Sequence, residues 1–268
     1  MELEGKRLLL TGATGGLGRA IAEALAAEGV ELVLSSRRKE DLEELAGSLP
    51  GGARRHQVIV ADLAAEGVAE QLVRDSGDLD GLIANAGLPA SGRLERFSQR
   101  ELARAIKVNL EAPIRMTREL LPSLLEKRDG HLLFVSSLNG QYATARSSLY
   151  SATKFGLRGF AFGLREDLYD SGIGVSVVSP GLVRGAGLFA ESGARAPILL
   201  GTTTPTKVAK AVAKAIRRNR SEISVAPFRQ RRLSKFASHH PELAGRITRR
   251  PSAHSIAESV AAGQADKR

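Results

Sequence analysis

The chain has 268 residues, of which 43% are apolar and none is cysteine, and its formal net charge is +10. The apolar content is enough for a sizeable core and excludes a disordered chain, while the lack of cysteine excludes disulfide bonds and thiolate catalysis. No apolar run reaches the ~18 residues of a membrane-spanning helix, and the N-terminus lacks the apolar region of a signal peptide, so we expect a cytoplasmic protein.

The positive charge is concentrated near the C-terminus. Residues 215–268 hold 12 Lys and Arg against 4 Asp and Glu, a net charge of +8 out of the total of +10. Uniform basicity would favour nucleic acid binding, whereas a basic end is most often a solvated surface. We therefore expect no nucleic acid partner.

Apolar strands alternate with amphipathic helices along the chain. Strands are predicted in "KRLLLTG", "VELVLSS", "HQVIVADL", "LDGLIANAG", "GHLLFVSS" and "GVSVVSPG". Helices are predicted between them, including a long one over about 98–127 and one that carries Tyr150 and ends near Tyr169. The alternation predicts an α/β fold in a single domain, with a doubly wound parallel sheet of the Rossmann type. Ligands of such sheets bind beyond the carboxyl ends of the strands.

The first strand runs into the glycine loop "TGATGGLG", from Thr11 to Gly18. Glycines at this place allow a tight turn and let a pyrophosphate approach the backbone, and the N-terminus of the next helix supplies N–H donors for the anion. The alternative is a simple turn between a strand and a helix. The context of strand, loop and helix favours a dinucleotide site.

The second strand ends in "LVLSSRRKED", without the carboxylate that an NAD site expects there for the ribose 2′-hydroxyl. Arg37 and Arg38 suit a 2′-phosphate instead, which predicts NADP(H) in preference to NAD(H). The alternative is two solvated arginines at the start of a helix. Asp62, at the end of the third strand, either accepts a hydrogen bond from the adenine amino group or caps the next helix.

Tyr150 and Lys154 lie four positions apart in "SLYSATKFG", so both side chains share one face of the predicted helix. In isolation this would be an ordinary surface pair. Together with the glycine loop and the strand order, however, "YSATK" resembles the classical short-chain dehydrogenase/reductase (SDR) family over residues 5 to about 226. "ANAG" (84–87), Ser137 thirteen positions before Tyr150, and "PG" (180–181) add to the resemblance.

The resemblance implies four catalytic roles. Tyr150 would be the general acid/base for the carbonyl or alcohol oxygen, and Lys154 would lower the pKa of the tyrosine and hold the nicotinamide ribose. Ser137 would hydrogen-bond the substrate oxygen, and Asn109, in "KVNL", would help to hold a water in the proton relay. The alternatives are a polar strand end for Ser137 and a helix kink or cap for Asn109.

The resemblance also implies the residues that contact the cofactor. They are Thr11, Gly12, Thr14, Gly15, Gly16, Leu17, Gly18, Arg37, Arg38, Asp62, Leu63, Asn85, Ala86, Gly87, Tyr150, Lys154, Pro180, Gly181 and Val183. Two positions depart from the family pattern. Ala84 replaces an asparagine, and Gly185 replaces the threonine that contacts the nicotinamide carboxamide. No metal site is predicted, because the adjacent His239 and His240 lack the spacing of a helical metal pair.

The segment from 181 to about 205 is glycine-rich and irregular, and in the family this region covers the substrate. It offers apolar residues and two cations: Leu182, Leu188, Phe189, Ile198, Leu199, Arg184 and Arg195. This composition favours a hydrophobic carbonyl substrate, with a carboxylate or phosphate as a further hypothesis. The alternative for the two arginines is a solvent-facing position.

Residues 228–250 predict a basic amphipathic helix around Leu233 and Phe236, broken near Pro241, and residues after about 251 are expected to be frayed. The helix is expected to pack on its own subunit or a neighbour; contact with a membrane surface or an acidic carrier protein is the less favoured alternative. We divide the chain into a dinucleotide-binding and catalytic region, 1–227, and a basic helical extension and tail, 228–268.

The function predicted from these patterns is an NADP(H)-dependent oxidoreductase. It transfers a hydride between nicotinamide and a carbonyl or secondary alcohol, and the resemblance implies a homodimer or homotetramer. The competing hypotheses are a non-catalytic dinucleotide-binding scaffold or sensor, and a membrane- or carrier-associated lipid reductase.

Overall fold

The structure, a computed structural model, describes residues 1–194, 196, 200–248 and 251–264, without the side chains of 247–248 and 251–256. Three residues of the predicted substrate region, Arg195, Ile198 and Leu199, lie outside this description. Its centre is a sheet of seven strands. They are β1 (Arg7–Thr11), β2 (Glu31–Ser36), β3 (Gln57–Val60), β4 (Gly81–Ala84), β5 (Gly130–Val135), β6 (Ile173–Pro180) and β7 (Glu222–Val225).

All strand pairs are parallel, in the order β3-β2-β1-β4-β5-β6-β7. The order reverses at β1, which pairs with β2 on one side and with β4 on the other. At such a reversal the connections leave to opposite faces of the sheet, and a crevice opens beyond the carboxyl ends of the two strands. This crevice contains the glycine loop.

Helices connect the strands and follow the last one. They are α1 (Gly16–Ala26), α2 (Lys39–Ser48), α3 (Val68–Asp75), α4 (Gln99–Ile106), α5 (Ala112–Lys127), α6 (Ser148–Asp167), α7 (Gly187–Glu191), α8 (Pro205–Arg217), α9 (Phe228–His239), α10 (Pro241–Thr248) and α11 (Pro251–Gly263). A π-helical turn over Lys107–Glu111 joins α4 to α5.

Buried apolar side chains cover both faces of the sheet. Within β1, Leu8 and Leu10 pack with α1, α2 and α8, while Leu9 packs on the other face with α3, α5 and α6. Every residue of β5 and β6 is buried, as expected for parallel strands between two helical layers. The structure thus confirms the predicted fold class.

The structure differs from the sequence-based prediction mainly after β6. The predicted order of elements stops there, whereas the structure adds α8, which packs against α1, and the edge strand β7. The prediction of a frayed end after about residue 251 is wrong, because α11 forms most of this region. The predicted helix over 98–127 is present, but the π-helical turn interrupts it at Asn109.

Candidate active site

The carboxyl ends of β1 and β4 are joined by side-chain hydrogen bonds at the crevice. The hydroxyl of Thr11 accepts from the N–H groups of Asn85 and Ala86, at 3.2 and 3.1 Å. The Asn85 amide donates back to the carbonyls of Thr11 and Gly12, at 3.0 and 3.2 Å. These bonds hold the glycine loop beside the end of β4, although the first asparagine of the family pattern is replaced by the buried Ala84.

At three glycines of the loop, an added side chain would collide with neighbouring atoms. Gly12 has φ +65°, and a Cβ there would lie 2.8 Å from the Ala86 Cα. A Cβ at Gly18 would lie 2.1 Å from the Gly12 carbonyl oxygen, so this glycine permits α1 to pack tightly on the loop. A Cβ at Gly16 would lie 2.3 Å from the Cβ of Ala186, in the segment that follows β6. The loop and this segment therefore meet at the N-terminus of α1.

The N-terminus of α1 is suited to an anion. Gly15 is its N-cap residue without a side-chain hydrogen bond, and the first turn contains no acidic residue. Thr14 and Leu17 flank this turn and are only partly buried. Backbone N–H groups at a helix start, without a side chain to block them, are the donor set that a pyrophosphate requires. The residues present fit a dinucleotide.

Arg37 and Arg38 follow β2 but differ in their surroundings. Both are exposed, and Arg38 forms an ion pair with Asp41 one turn further along α2. Arg37 has no carboxylate partner within 4.0 Å among the residues that the structure describes. Arg37 is thus the arginine whose charge is available to an incoming phosphate.

Asp62 does not cap the helix that follows it. Its carboxylate accepts a hydrogen bond from the Ala64 N–H at 3.1 Å, within a turn, while the N-cap of α3 is Gly67. The side chain is exposed and the neighbouring Leu63 is buried. The helix-cap alternative is therefore wrong, and the side chain is exposed to solvent after β3.

Ser137, Tyr150 and Lys154 lie together at the end of β5 and the start of α6. The Ser137 hydroxyl accepts from the Asn139 N–H at 3.1 Å and hydrogen-bonds the side chain of Tyr150. The Lys154 ammonium lies 5.8 Å from the centroid of the Tyr150 ring and donates to the Val135 carbonyl at 3.0 Å. The structure thus brings together the three side chains that the sequence pattern singled out.

Ser136, the serine before Ser137 in "VSS", has a structural role. Ser136 is buried, and its hydroxyl donates to the Lys154 carbonyl at 3.1 Å. A Cβ at Gly140 would lie 2.7 Å from the same carbonyl oxygen, so a larger residue would push α6 away. Ser136 and Gly140 therefore fix the position of α6 beneath Tyr150.

Burial dominates the protonation of the two titratable side chains. It raises the pKa of Tyr150 to about 12, against a smaller lowering by the hydrogen bond with Ser137. It lowers the pKa of Lys154 to about 8. In the chain alone, desolvation of the phenolate has the largest effect on the Tyr150 pKa. The lowering by Lys154 that the family resemblance implies stays a prediction. At neutral pH the phenol keeps its proton.

Asn109 is fully buried inside the π-helical turn. Its side-chain oxygen accepts from the Leu88 N–H at 2.7 Å, and its amide donates to the Leu88 carbonyl at 3.0 Å. A Cβ added to Gly87 would be 3.5 Å from the Asn109 oxygen and 3.8 Å from the Lys154 nitrogen. The helix is interrupted at Asn109, and the two bonds to Leu88 fix the chain after β4 beside Lys154.

The segment after β6 begins with Pro180 at the strand end and is fixed at its root by Gln230 of α9. The Leu182 N–H donates to the Gln230 side chain, which in turn donates to the carbonyls of Leu200 and Gly201 at 3.2 and 2.7 Å. Gly181 leaves room for this side chain, since a Cβ there would lie 2.2 Å from its oxygen. Sequence reasoning missed Gln230 because its partners lie about 30 and 48 positions away.

Between these fixed ends the segment is partly exposed. Val183 is buried and bridges to Thr203, whereas Arg184 and Gly185 are exposed. Leu188 and Phe189 lie on α7 and are partly buried. Arg184 is therefore solvent-facing, as its alternative held.

The C-terminal helix α11 packs on the same region. The Glu258 carboxylate pairs with Arg146, with Oε1 at 2.7 Å from Nε, and lies 3.8 Å from Arg93. At the end of α11 the Gln264 amide donates to the Leu188 carbonyl at 2.9 Å. The helix thus spans from the residues just before Tyr150 to α7, and sequence reasoning missed these contacts as well.

The fold and the crevice define the class of this chain: a Rossmann-type protein that binds a dinucleotide. A family model described as short chain dehydrogenase matches residues 6–196. The chain therefore belongs to the short-chain dehydrogenase family, whose members are oxidoreductases that use nicotinamide dinucleotides. Among the described residues, no helix is long and apolar enough to cross a membrane.

Named relatives agree with this membership. The chain is 36% identical over 227 residues to the ketoacyl reductase HetN of Nostoc sp., covering 83% of this chain and 79% of the relative. A 3-ketoacyl-(acyl-carrier-protein) reductase from Brucella melitensis, complexed with NADH, superposes with a TM-score of 0.77 at 25% identity, covering 85% and 99% of the two chains. An alcohol dehydrogenase from Thermococcus sibiricus, complexed with 5-hydroxy-NADP, gives 0.73 at 27% identity, with 83% and 97% covered.

Proposed function

We propose that the chain is an NADP(H)-dependent oxidoreductase that acts on a carbonyl or secondary alcohol of a hydrophobic substrate, in the cytoplasm. The observation that carries the proposal is the cluster of Ser137, Tyr150 and Lys154 at the crevice beside the glycine loop. A protein that only binds a dinucleotide would not need a tyrosine hydroxyl that is hydrogen-bonded to a serine and lies close to a buried lysine ammonium. Residues 1–227 form the dinucleotide-binding and catalytic region in this proposal, and 228–268 an extension that supports it.

The side chains act on the oxygen of the substrate, while the nicotinamide, when bound, supplies or accepts the hydride. In the direction of reduction, Tyr150 donates its phenolic proton to the carbonyl oxygen as negative charge develops there. Ser137 donates a hydrogen bond to the same oxygen, and the Lys154 ammonium stabilises the phenolate that remains. The high pKa of Tyr150 means that the proton is present before the reaction begins.

The preference for NADP(H) rests on Arg37. A guanidinium can make charge-assisted hydrogen bonds to a 2′-phosphate, and Arg37 stands at the end of β2 without an ion-pair partner in the described chain. Arg38 is already paired with Asp41. Solved relatives contain either NADH or an NADP derivative, so membership of the family does not decide between the two coenzymes. The proposed preference therefore rests on this chain's own residues.

Titration with NADPH and NADH, followed by nicotinamide fluorescence, tests this assignment without a substrate. Arg37→Ala should weaken NADPH binding about 10- to 100-fold, as expected for losing hydrogen bonds to a charged group, and leave NADH binding unchanged. Arg38→Ala is the matched control and should have the smaller effect. Equal binding of both coenzymes by the unaltered protein would refute the preference.

Tyr150→Phe tests the catalytic role. The change removes only the hydroxyl, so coenzyme binding should persist while turnover falls by at least about a hundredfold, the range of general acid catalysis. A screen of aliphatic and aromatic ketones, including β-ketoacyl esters in view of the ketoacyl reductase relatives, supplies the assay. Near-normal turnover in the variant would favour the scaffold hypothesis.

The homodimer or homotetramer implied by the family stays a proposal. Sedimentation equilibrium of the full chain is the measurement that decides between them and a monomer.

A further inference from the structure

The helix α9 packs on the protein by one side only. Gln230, Ser234 and Ala237 are buried, and they recur at the spacing that lines one face of a helix. Gln230 holds the root of the segment after β6, and the Ser234 hydroxyl donates to the Gln141 side chain at 2.7 Å. The opposite side of α9 therefore faces outward.

The outward side combines cations with aromatic rings. Its members are exposed, and we name them the basic-aromatic face: Phe228, Arg231, Arg232, Lys235 and Phe236. Phe228 is 62% exposed and Phe236 is 37% exposed. The Arg232 guanidinium lies 5.5 Å from the centroid of the Phe228 ring, so charge and ring occupy the same surface. Helix α9 contains no acidic residue to offset this charge.

The cations of this face are uncompensated. None of Arg231, Arg232 and Lys235 lies within 4.0 Å of a carboxylate in the parts of the chain that the structure describes. Arginines elsewhere do have such partners, as Arg115 has in Glu70. The charge of the basic-aromatic face is thus free to attract an anionic surface.

The apolar residues distinguish this face from an ordinary basic surface. Leu243, at the start of α10, is 48% exposed, so large apolar side chains are exposed on α10 as well as on α9. The exposed lysines of α8, by contrast, are not accompanied by exposed large apolar side chains. Aromatic and leucine side chains among arginines and lysines are the composition of helices that lie in the interface of an anionic bilayer.

We propose that the basic-aromatic face of α9 binds the surface of an anionic lipid membrane, with its cations at the headgroups and Phe228 and Phe236 inserted between them. A second copy of this chain fits less well, because a symmetric contact would place the same cations against each other. An acidic protein would match the charges but leaves the exposed rings without a partner.

The chain contains no tryptophan, so Phe228→Trp introduces a single reporter on this face. With vesicles of equimolar phosphatidylglycerol and phosphatidylcholine, its emission should shift to the blue, and brominated lipids should quench it. Pure phosphatidylcholine vesicles should have no effect, and added salt should weaken the response by screening.

Removing cations from α9, and from α8 as a control, tests which surface binds the vesicles. The triple change Arg231→Gln, Arg232→Gln and Lys235→Gln should lower the affinity for the anionic vesicles about a hundredfold, at about fivefold per cation. The control, Lys207→Gln, Lys210→Gln and Lys214→Gln on α8, removes the same charge from exposed positions and should change the affinity less than about threefold. The unfolding temperature of both variants should match that of the parent, since all six side chains are exposed.

Four outcomes would overturn the proposal. The first is an unshifted emission with anionic vesicles, and the second is an equal loss of affinity in the α8 control, which would assign the binding to net charge. The third is a blue shift that grows with protein concentration without vesicles, which would assign the face to a second copy. The fourth is an equal shift with poly-glutamate, which would assign it to an acidic protein.

Discussion

At the scale of single residues, the candidate active site places a partly buried phenol beside a buried ammonium, and burial shifts their pKa values in opposite directions. It favours the protonated form of Tyr150 and the unprotonated form of Lys154, with a pKa of about 12 for the first and about 8 for the second. The proton therefore stays on the tyrosine, and the lysine keeps its charge at pH 7 only against a desolvation cost. The charged form of Lys154 therefore lowers the free energy of unfolding at pH 7.

Lys154→Met should accordingly stabilise the fold at pH 7. The folded pKa is lowered from 10.5 to about 8, so at neutral pH the native state carries an ammonium that costs roughly 3 kcal/mol of stability. The native lysine loses its proton above pH 8, and the unfolded one only near 10.5, so the wild-type protein recovers this stability as the pH rises between these values. The advantage of the variant should be largest at pH 7 and shrink towards pH 10.

Urea denaturation at pH 7 and pH 10 measures that difference. Ser151→Ala, a change on the same helix without a titratable group, serves as the control and should show no such change with pH. A constant difference between Lys154→Met and the wild type across this range would mean that the ammonium is not desolvated in the native state.

Sequence patterns could predict that Tyr150, Lys154 and Ser137 lie together, because the prediction depends on their spacing along the chain. They could not identify Gln230 or Glu258, whose partners come close only after the chain has folded. Nor could they give the direction of the Tyr150 pKa, because burial depends on every element packed around the phenol. Local periodicity does not contain that information.

At the scale of elements, β7 and α6 are held together by a partly buried carboxylate. Glu222 accepts hydrogen bonds from Arg158, Gln141 and Ser179, at 2.9, 2.7 and 2.8 Å. Burial alone would raise the pKa of Glu222, but these bonds lower it below its ordinary value. The sheet edge beside the active site is thus held in place by charge as well as by strand pairing.

Helix α11 is attached to the rest of the protein by side-chain hydrogen bonds and ion pairs. The described part of it is attached through Glu258 to Arg146 and Arg93, and through Gln264 to the Leu188 carbonyl. Glu258→Gln should loosen this attachment, because the neutral amide loses the charge-assisted bond to Arg146. Limited proteolysis should then cleave the junction between α10 and α11 several-fold faster than in the wild type.

A matched control is Glu242→Gln on α10, which removes one exposed carboxylate from the same part of the chain. It should leave the cleavage rate unchanged. If both variants are cleaved at the same rate as the wild type, the ion pair with Arg146 does not hold α11.

At the scale of the whole molecule, the parallel sheet was predictable because apolar strands and amphipathic helices alternate with few interruptions. The last third was less predictable. Strand β7 is short and only its last residue is fully buried, so its sequence lacks the continuous apolar run of β5 or β6. Helix α11 is not strongly amphipathic, and it forms part of the structure through partners far away in the sequence.

Removing residues 228–268 should test whether the proposed extension supports the rest. The truncated chain loses Gln230, leaving the Leu182 N–H and two loop carbonyls without their partner, and it loses the Ser234 bond to Gln141. Each lost hydrogen bond contributes about 0.5–1.5 kcal/mol to stability, so the unfolding temperature should fall by at least about 5 °C. Calorimetry against a chain ending at residue 250, which keeps α9, measures the effect.

An unfolding temperature equal to that of the longer chain would contradict this support. Coenzyme binding should survive in the truncated chain at low temperature, because the glycine loop and Arg37 lie outside the removed residues.

The attachment of both ends of the segment after β6 to one amide has a consequence for how such proteins diverge. Gln230 hydrogen-bonds Leu182, Leu200 and Gly201, and so holds the two ends of the segment together. The positions of these ends therefore do not depend on the residues between them. We therefore expect that insertions, deletions or a segment grafted from a related enzyme between these residues would leave the sheet unchanged.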